Sequence, residues 1–311
     1  MVNKAKNAMD EIAKVLIGKE EIIKRVMTAI LAGGHIMVQD MPGVGKTTMS
    51  LAVARVLGMN YQRILFTPDI MPKDLANYSV HFQRFEQKQE ERETAHVFMA
   101  DEINASSPKI RSLLVKMMEE KKLKVAGTVT VLPSPYVVIA TQNPLHPSGE
   151  FLPISQMDHF MLGISIGYPD MISEIQMLKQ ENIREKIQSL NQAMSIEDVL
   201  EVQTQVNHVY VSEQIYEYIV RIVNATRTNQ LLEVGVSPRG SIDLLKMAKA
   251  NAFLEGRDYV IPADVQRIFV DTTSHRVSLS RYAKLENRKS SQILFSILET
   301  VDVPSGMERK K

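Results

Sequence analysis

Apolar positions along this chain change their period as the chain proceeds. From Ala5 to Leu16, and again from Glu20 to Ala32, they recur every three to four residues, which predicts two amphipathic helices. His35-Ile36-Met37-Val38-Gln39 is then a short, mostly apolar run ending at a Pro/Gly turn, as a strand buried on both faces does. Helical spacing returns over Thr48–Leu57, with Gly58 placed to close the helix. Gln62–Phe66, Val97–Ala100 and Val137–Thr141 repeat the strand pattern, separated by helical or hairpin-like segments. Strands alternating with crossovers predict an α/β unit with a parallel sheet. Beyond Gly167-Tyr168-Pro169 the pattern is helical almost throughout: Ile172–Gln180, Ile196–His208, Glu213–Thr226, Arg239–Leu254, Ala263–His275 and Ser291–Glu299. Ser212 is placed as an N-cap, and Pro238 and Pro262 as first-turn residues. The change of character puts a boundary near Tyr168–Met171, dividing the chain into residues 1–168 and an all-α part, 169–311.

Composition narrows the classes of function. A length of 311 residues suits two domains. A net charge of +1 removes any global electrostatic argument for nucleic acid or an anionic membrane, although a local basic channel stays open. The absence of cysteine excludes disulfides, thiolate zinc sites and a thiol nucleophile, and fits a reducing compartment. No run approaches 18 uncharged apolar residues, and Met1–Glu20 is charged throughout, without the apolar centre of a secretory signal. No membrane span is expected, and the expected location is cytoplasmic. Arg84–Glu93 alternates its charges and reads as a solvated hairpin or loop.

Chemistry concentrates at the ends of the strands. Asp40-Met41-Pro42-Gly43-Val44-Gly45-Lys46-Thr47 lies between a predicted strand and a predicted helix, where a phosphate-binding loop belongs. Gly43 and Gly45 let backbone N–H groups converge on phosphate oxygens, and the helix start adds its dipole. Lys46 is placed to reach the β- and γ-phosphates of ATP, and the Thr47 hydroxyl to ligand Mg²⁺. The first position of the pattern is Asp40 rather than Gly; the loop is expected to keep its shape with this carboxylate turned outward. About fifty residues on, Val97–Ala100 ends in Asp101-Glu102. Asp101 can hold Mg²⁺ and Glu102 can deprotonate an attacking water, while the same two acids could instead cap the next helix. Val137–Thr141 leads to Gln142-Asn143-Pro144, so Asn143 is either a turn residue or an amide donor to the γ-phosphate or water.

These stretches together resemble the MoxR-type AAA+ ATPases. The likeness runs in order through Gly34-His35, Pro42–Thr48, Phe66-Thr67-Pro68-Asp69, Ala100–Asn104, Pro108-Lys109, Ala140–Pro144, Leu152-Pro153 with Asp158, Tyr168-Pro169, Ser237-Pro238-Arg239 and His275-Arg276. It implies an αβα nucleotide-binding domain followed by a helical lid, assembled into a homo-oligomeric ring, hexameric in the family. It also implies hairpins at about Tyr78–Ala95 and Leu123–Leu132. Lys46, Thr47 and Thr48 then belong to the Walker A element, Asp101 and Glu102 to Walker B, and Asn143 is sensor 1. Arg239 matches sensor 2, acting on its own nucleotide or, with a displaced lid, on a neighbour's; it also reads as an ordinary first-turn arginine. Ile17 and Ile22 resemble the adenine-side wall, although a junction of two amphipathic helices looks the same.

One departure from the family pattern bears on rate. Met157-Asp158-His159-Phe160 stands where relatives carry Leu-Asp-Arg-Phe, whose arginine is the finger acting in trans. An imidazole with an ordinary pKa near 6.5 is mostly neutral at pH 7. If His159 fills that position, hydrolysis is slow and rises as pH falls from about 7.5 to 6; the alternative is a subunit-boundary residue that never touches nucleotide. The family implies a remodelled protein client, often one with a von Willebrand factor A domain. Two other classes stay open. A nucleic-acid-stimulated ring motor is suggested by the basic run Lys121-Lys122-Leu123-Lys124, though no nucleic-acid module follows it. A small-molecule phosphotransferase needs a second substrate pocket.

Overall fold

Alternate side chains of the central strands go to opposite faces of one sheet, and each face has its own apolar cluster. In this computed structural model, which describes residues 1–78, 95–125, 127–145, 151–179 and 182–304, the strands are β1 (Ile36–Gln39), β2 (Tyr61–Leu65), β3 (Val97–Asp101), β4 (Lys122–Val125), β5 (Thr128–Val131), β6 (Val137–Gln142) and β7 (Leu162–Ile164). Ile36, Val38, Val97, Met99, Val137 and Ile139 face one cluster, while Met37, Phe98, Ala100, Val138 and Ala140 face the other. The central runs are therefore apolar at every position, because both sides are covered. The order is β2-β3-β6-β1-β7, with every pair parallel. β4 and β5 form a separate antiparallel hairpin, within one residue of the expected Leu123–Leu132.

The first cluster continues from the sheet through helices Val2–Ala13, Glu20–Leu31 and Lys46–Val56 into helices Ile196–Asn207, Glu213–Thr228, Pro238–Leu254, Pro262–Thr273 and Ser290–Thr300. Pro238 and Pro262 start their helices and Ser212 precedes Glu213, as their types predict. A small antiparallel pair, β8 (Leu232–Val234) and β9 (Ser278–Leu279), ties two of the later loops together.

Several boundaries differ from the pattern. The first helix covers Val2–Ala13 rather than Ala5–Leu16; Val15 and Leu16 are buried from the turn that follows, so the apolar period outlasts the helix. The helix after β1 starts at Lys46 rather than Thr48. β7 and the short helix Ile183–Gln188 were too brief to register as periodic. The hairpin expected over Tyr78–Ala95 lies, apart from its two ends, outside the described residues, as does the run Arg84–Glu93.

Two buried histidines pin elements at one edge of the sheet. His35 Nδ1 accepts from the Val138 amide at 3.0 Å, and burial pushes its pKa down to about 4. His275 Nε2 donates to the Phe160 carbonyl at 2.7 Å, and burial pushes its pKa down to about 3. Gly163 is required beside it, since a Cβ there would stand 2.4 Å from the imidazole.

Candidate functional site

The loop after β1 turns on two glycines, Gly43 with φ 86° and Gly45 with φ 96°, a backbone that residues with a Cβ rarely adopt. A Cβ at either would meet no atom within 4 Å, so these glycines answer to backbone angle rather than to crowding. Lys46, in the first turn, is buried, and its Nζ donates to the carbonyls of Asp40 (2.8 Å) and Met41 (3.3 Å). Thr47 and Thr48 follow half-buried, Val44 packs on the core, and Pro42 is exposed. Asp40 corrects the expectation. Its carboxylate is turned inward rather than outward: Oδ2 accepts from Ser165 Oγ at 2.9 Å and Gly167 N at 2.8 Å, and Oδ1 accepts from Met41 N at 2.9 Å. Three donors make an inward carboxylate tolerable, where an unpaired one would be costly.

β6 lies between β1 and β3, so at about 4.8 Å per strand the loop and the acidic strand end are about 10 Å apart across one sheet edge. Asp101 ends β3, buried. Its Oδ1 accepts from Thr141 Oγ1 at 2.6 Å, and its Oδ2 accepts from Arg63 Nε at 3.0 Å. Thr141 Oγ1 also accepts from the Glu102 amide at 2.9 Å. Glu102 itself is held in the left-handed region (φ 55°, ψ 46°), a strain of about 1–3 kcal/mol for a non-glycine residue. The strand thus ends abruptly at Asp101. Asn143 follows β6. Its backbone is clamped by Asn104, which donates to its carbonyl (3.2 Å) and accepts from its amide (3.3 Å). Asn143 Oδ1 caps the Leu145 amide at 3.0 Å, so the side chain serves the turn through its oxygen and keeps its NH₂ as the donor end.

Arg63 and Thr141 were not singled out from the sequence. Arg63 sits two residues before the end of an ordinary-looking strand, and Thr141 reads as one more β-former, so neither carries a local signal. Ile17 and Ile22 are both half-buried, Ile22 against the main core. The turn between them lies beside the segment after β7, because Lys19 Nζ donates to the carbonyls of Ile166 and Tyr168, each at 2.8 Å.

Arg239 and His159 are brought together, but not at this edge. They share a cavity with Gly33, Gly34, His35 and Glu119, at the start of β1 rather than its end. The four residues of β1 alone span about 13 Å, so both lie far from Lys46 of the same chain. Arg239 Nη1 stands 2.7 Å from His159 Nδ1 and 3.0 Å from Nε2, and Nη2 donates to Glu119 Oε1 at 2.7 Å. Arginine can only donate, so an imidazole nitrogen bonded to it accepts, while Nδ1 also stands 3.2 Å from Glu119 Oε1. Burial first, then the charge of Arg239, lower the His159 pKa, with Arg276 adding to them and Glu119 and Asp158 opposing. The segment is anchored by Arg276, fully buried. It donates to Asp158 Oδ1 (3.2 Å), the Phe160 carbonyl (2.7 Å) and Asp243 Oδ2 (2.6 Å), while Ser237 Oγ donates to Asp158 at 2.8 Å. The loop holding His159 and the helix holding Arg239 are therefore one unit.

The residues at the first edge fit a nucleoside triphosphate with Mg²⁺. The loop turns on two glycines, a buried ammonium lies against its carbonyls, and Thr47 and Asp101 are hard oxygen donors. Mg²⁺ is commonly held by one or two such groups plus substrate phosphates rather than by an all-protein cage. Among the described residues no helix is long and apolar enough to cross a membrane.

Known proteins resemble this chain over most of its length. Residues 35–162 match the ATPase family associated with various cellular activities (AAA), and residues 224–297 match the AAA lid domain. The Bacillus subtilis (strain 168) protein YeaC is 39% identical over 301 residues, covering 96% of this chain and 94% of its own length. Chaperone MoxR1 of Mycobacterium tuberculosis is 32% identical over 316 residues, covering 97% of this chain and 83% of its own. A crystal structure from Cytophaga hutchinsonii superposes with a TM-score of 0.85 at 32% identity, covering 98% of this chain and 96% of the other.

Proposed function

Since the chain belongs to the MoxR-type AAA+ ATPases, we propose that it hydrolyses ATP with Mg²⁺ between neighbouring copies of itself and uses the cycle, as a chaperone, to remodel or mature a protein client. The observation that carries this reading is the separation of the two charged groups. Lys46, Thr47, Asp101, Glu102 and Asn143 share one sheet edge, while Arg239 and His159 lie at the other.

Within one copy, Lys46 binds the β- and γ-phosphates and the N–H groups of the Gly43–Thr47 turn cradle them. Thr47 and Asp101 would hold Mg²⁺, which would supply charge neutralisation to the triphosphate. Glu102 accepts the proton of the attacking water, and Asn143 orients that water or the γ-phosphate through its NH₂. Arg63 and Thr141 keep the Asp101 carboxylate from rotating. Ile17 and Ile22 flank the base. Residues 1–168 act as the nucleotide-binding part and 169–311 as the lid. A closed ring of copies, six in number, lets each present Arg239 to the next subunit's nucleotide. A von Willebrand factor A-domain protein is the client class to try first, in the cytoplasm. A nucleic-acid motor is less well supported: Lys124 of the basic hairpin is already paired with Glu120 at 2.6 Å.

Mixing two defective proteins tests the shared site. Arg239→Ala and Glu102→Gln are each expected to hydrolyse ATP at least tenfold more slowly than the parent. Their mixture should regain activity, because some interfaces then join an intact Glu102 to an intact Arg239. Additive, near-zero rates in a co-assembled mixture would place Arg239 at its own copy's nucleotide.

His159 gives a second test, in which its contact with Arg239 supports the opposite sign from the finger reading. The imidazole accepts from Arg239, so a proton on it removes that acceptor and sets a like charge beside the guanidinium. Hydrolysis is therefore expected to fall, not rise, as pH drops below the ordinary imidazole value of about 6.5, where the lowered pKa places protonation. His159→Gln retains an acceptor that cannot titrate and should flatten the profile between pH 7.5 and 5.5 at equal assembly. A parent that speeds up on acidification, with His159→Gln flat, would return the finger role to the imidazolium.

A further inference from the structure

Glycine is the residue that phosphate loops usually carry where this chain has Asp40, and its use there is backbone freedom. This position does not need that freedom: among the described residues the non-glycine positions with positive φ are Glu102, Lys121 and Asn287. What Asp40 contributes is its carboxylate, only 7% exposed and directed at the segment that leads from β7 to the helices beyond.

We propose that Asp40 is a positioning residue that fastens the phosphate loop to residues 165–168 and transmits nucleotide binding to them. The inference rests on the phosphate-loop reading above. Asp40 is held from both sides. Its carbonyl accepts from Lys46 Nζ at 2.8 Å and its amide donates to Gln142 O at 3.2 Å, while its Oδ2 accepts from Ser165 Oγ and Gly167 N. A phosphate that draws Lys46 into new hydrogen bonds therefore acts on a residue whose other end holds the Ser165 hydroxyl and the Gly167 amide. The same short segment is gripped from its far side by Lys19 through the Ile166 and Tyr168 carbonyls. Gly18, next to Lys19, packs so closely on Ser173 that a Cβ there would stand 2.1 Å from Ser173 Oγ. Ser173 lies on helix Met171–Leu178, which Asp170 caps by accepting from the Ser173 amide at 2.7 Å. A continuous set of contacts thus runs from the phosphate lysine through Asp40 to the first helix after the sheet. No other carboxylate in the loop could replace it, since the remaining residues from Met41 to Thr47 carry none.

The test combines Mg·ADP titration with amide hydrogen exchange over residues 165–173 in the full chain, for the parent, Asp40→Gly, Asp40→Ala, Asp40→Asn and Ser165→Ala. Saturating Mg·ADP is expected to slow exchange at 165–168 several-fold in the parent. Asp40→Gly and Asp40→Ala should bind Mg·ADP about tenfold more weakly and, once saturated, show no added protection at 165–168. Asp40→Asn, which keeps one acceptor oxygen, should recover part of it, and Ser165→Ala, which removes one donor and leaves the loop intact, should lose part. The Ser165 variant also carries the test if the Asp40 variants do not fold. Asp40→Gly matching the parent in both readouts would overturn the proposal, as would a parent that binds Mg·ADP with 165–168 unaffected. A parent that does not bind Mg·ADP at all would overturn the phosphate-loop reading together with it.

Discussion

Lys46→Ala is expected to weaken ATP binding at least a hundredfold and to abolish hydrolysis. The side chain is the only cation among residues Asp40–Thr48, and its ammonium is already desolvated at the mouth of the loop, 2.8 Å from the Asp40 carbonyl. A hundredfold loss corresponds to about 2.7 kcal/mol, modest for a charge-assisted contact to a triphosphate in a half-buried site. The fold should survive, because the helix Lys46–Val56 gains a good helix former. Isothermal titration with Mg·ATP checks the affinity, and circular dichroism checks the fold. Near-native affinity in a folded variant would sink the assignment of this loop.

Glu102→Gln is expected to bind ATP as the parent does while hydrolysing it about 10²–10⁴ times more slowly. The amide has the shape of the carboxylate but cannot take the proton from water. Glutamine is also no worse suited than glutamate to the left-handed backbone at this position, and the Thr141 contact is made by the main-chain amide, so the local geometry should persist. Single-turnover hydrolysis measured beside equilibrium binding separates the two effects; an unchanged turnover rate would make Glu102 a structural residue. The same variant holds ATP without consuming it and is the material with which to examine assembly. Ultracentrifugation should show larger species with ATP than without, because the second half of the proposed site comes from another copy. A strict monomer in both conditions would defeat the shared-site reading.

The candidate residues at the first edge were legible because each carries a local signature at a strand end. Gly-x-Gly-Lys-Thr follows one apolar run, Asp-Glu terminates another, and Asn-Pro follows a third. The sequence was silent, or for Asp40 misleading, where the signal depended on a distant partner. The inward turn of Asp40 depends on Ser165 and Gly167, 125 and 127 residues away. Arg63 gains its meaning from Asp101, 38 residues on, and Thr141 from Asp101 and Glu102. His159, read alone, is a neutral substitute for an arginine. Beside Arg239, 80 residues away, it becomes the acceptor that orients one.

By itself, then, the sequence determined most element types, the parallel α/β class, the mainly helical second half (though not its small β8–β9 pair) and the identity of the groups available for phosphate chemistry. Each of these follows from residue type and short-range spacing, which set backbone preference and which faces must be buried. Tertiary structure alone decided the strand order β2-β3-β6-β1-β7, and with it which strand ends share an edge. It also decided that Arg239 and His159 stand at the opposite edge from Lys46. The physical reason is that a strand buried on both faces is apolar at every position whichever neighbours it has. Its pattern records burial, whereas the choice of neighbour is made by packing and hydrogen bonds between residues tens to more than a hundred positions apart.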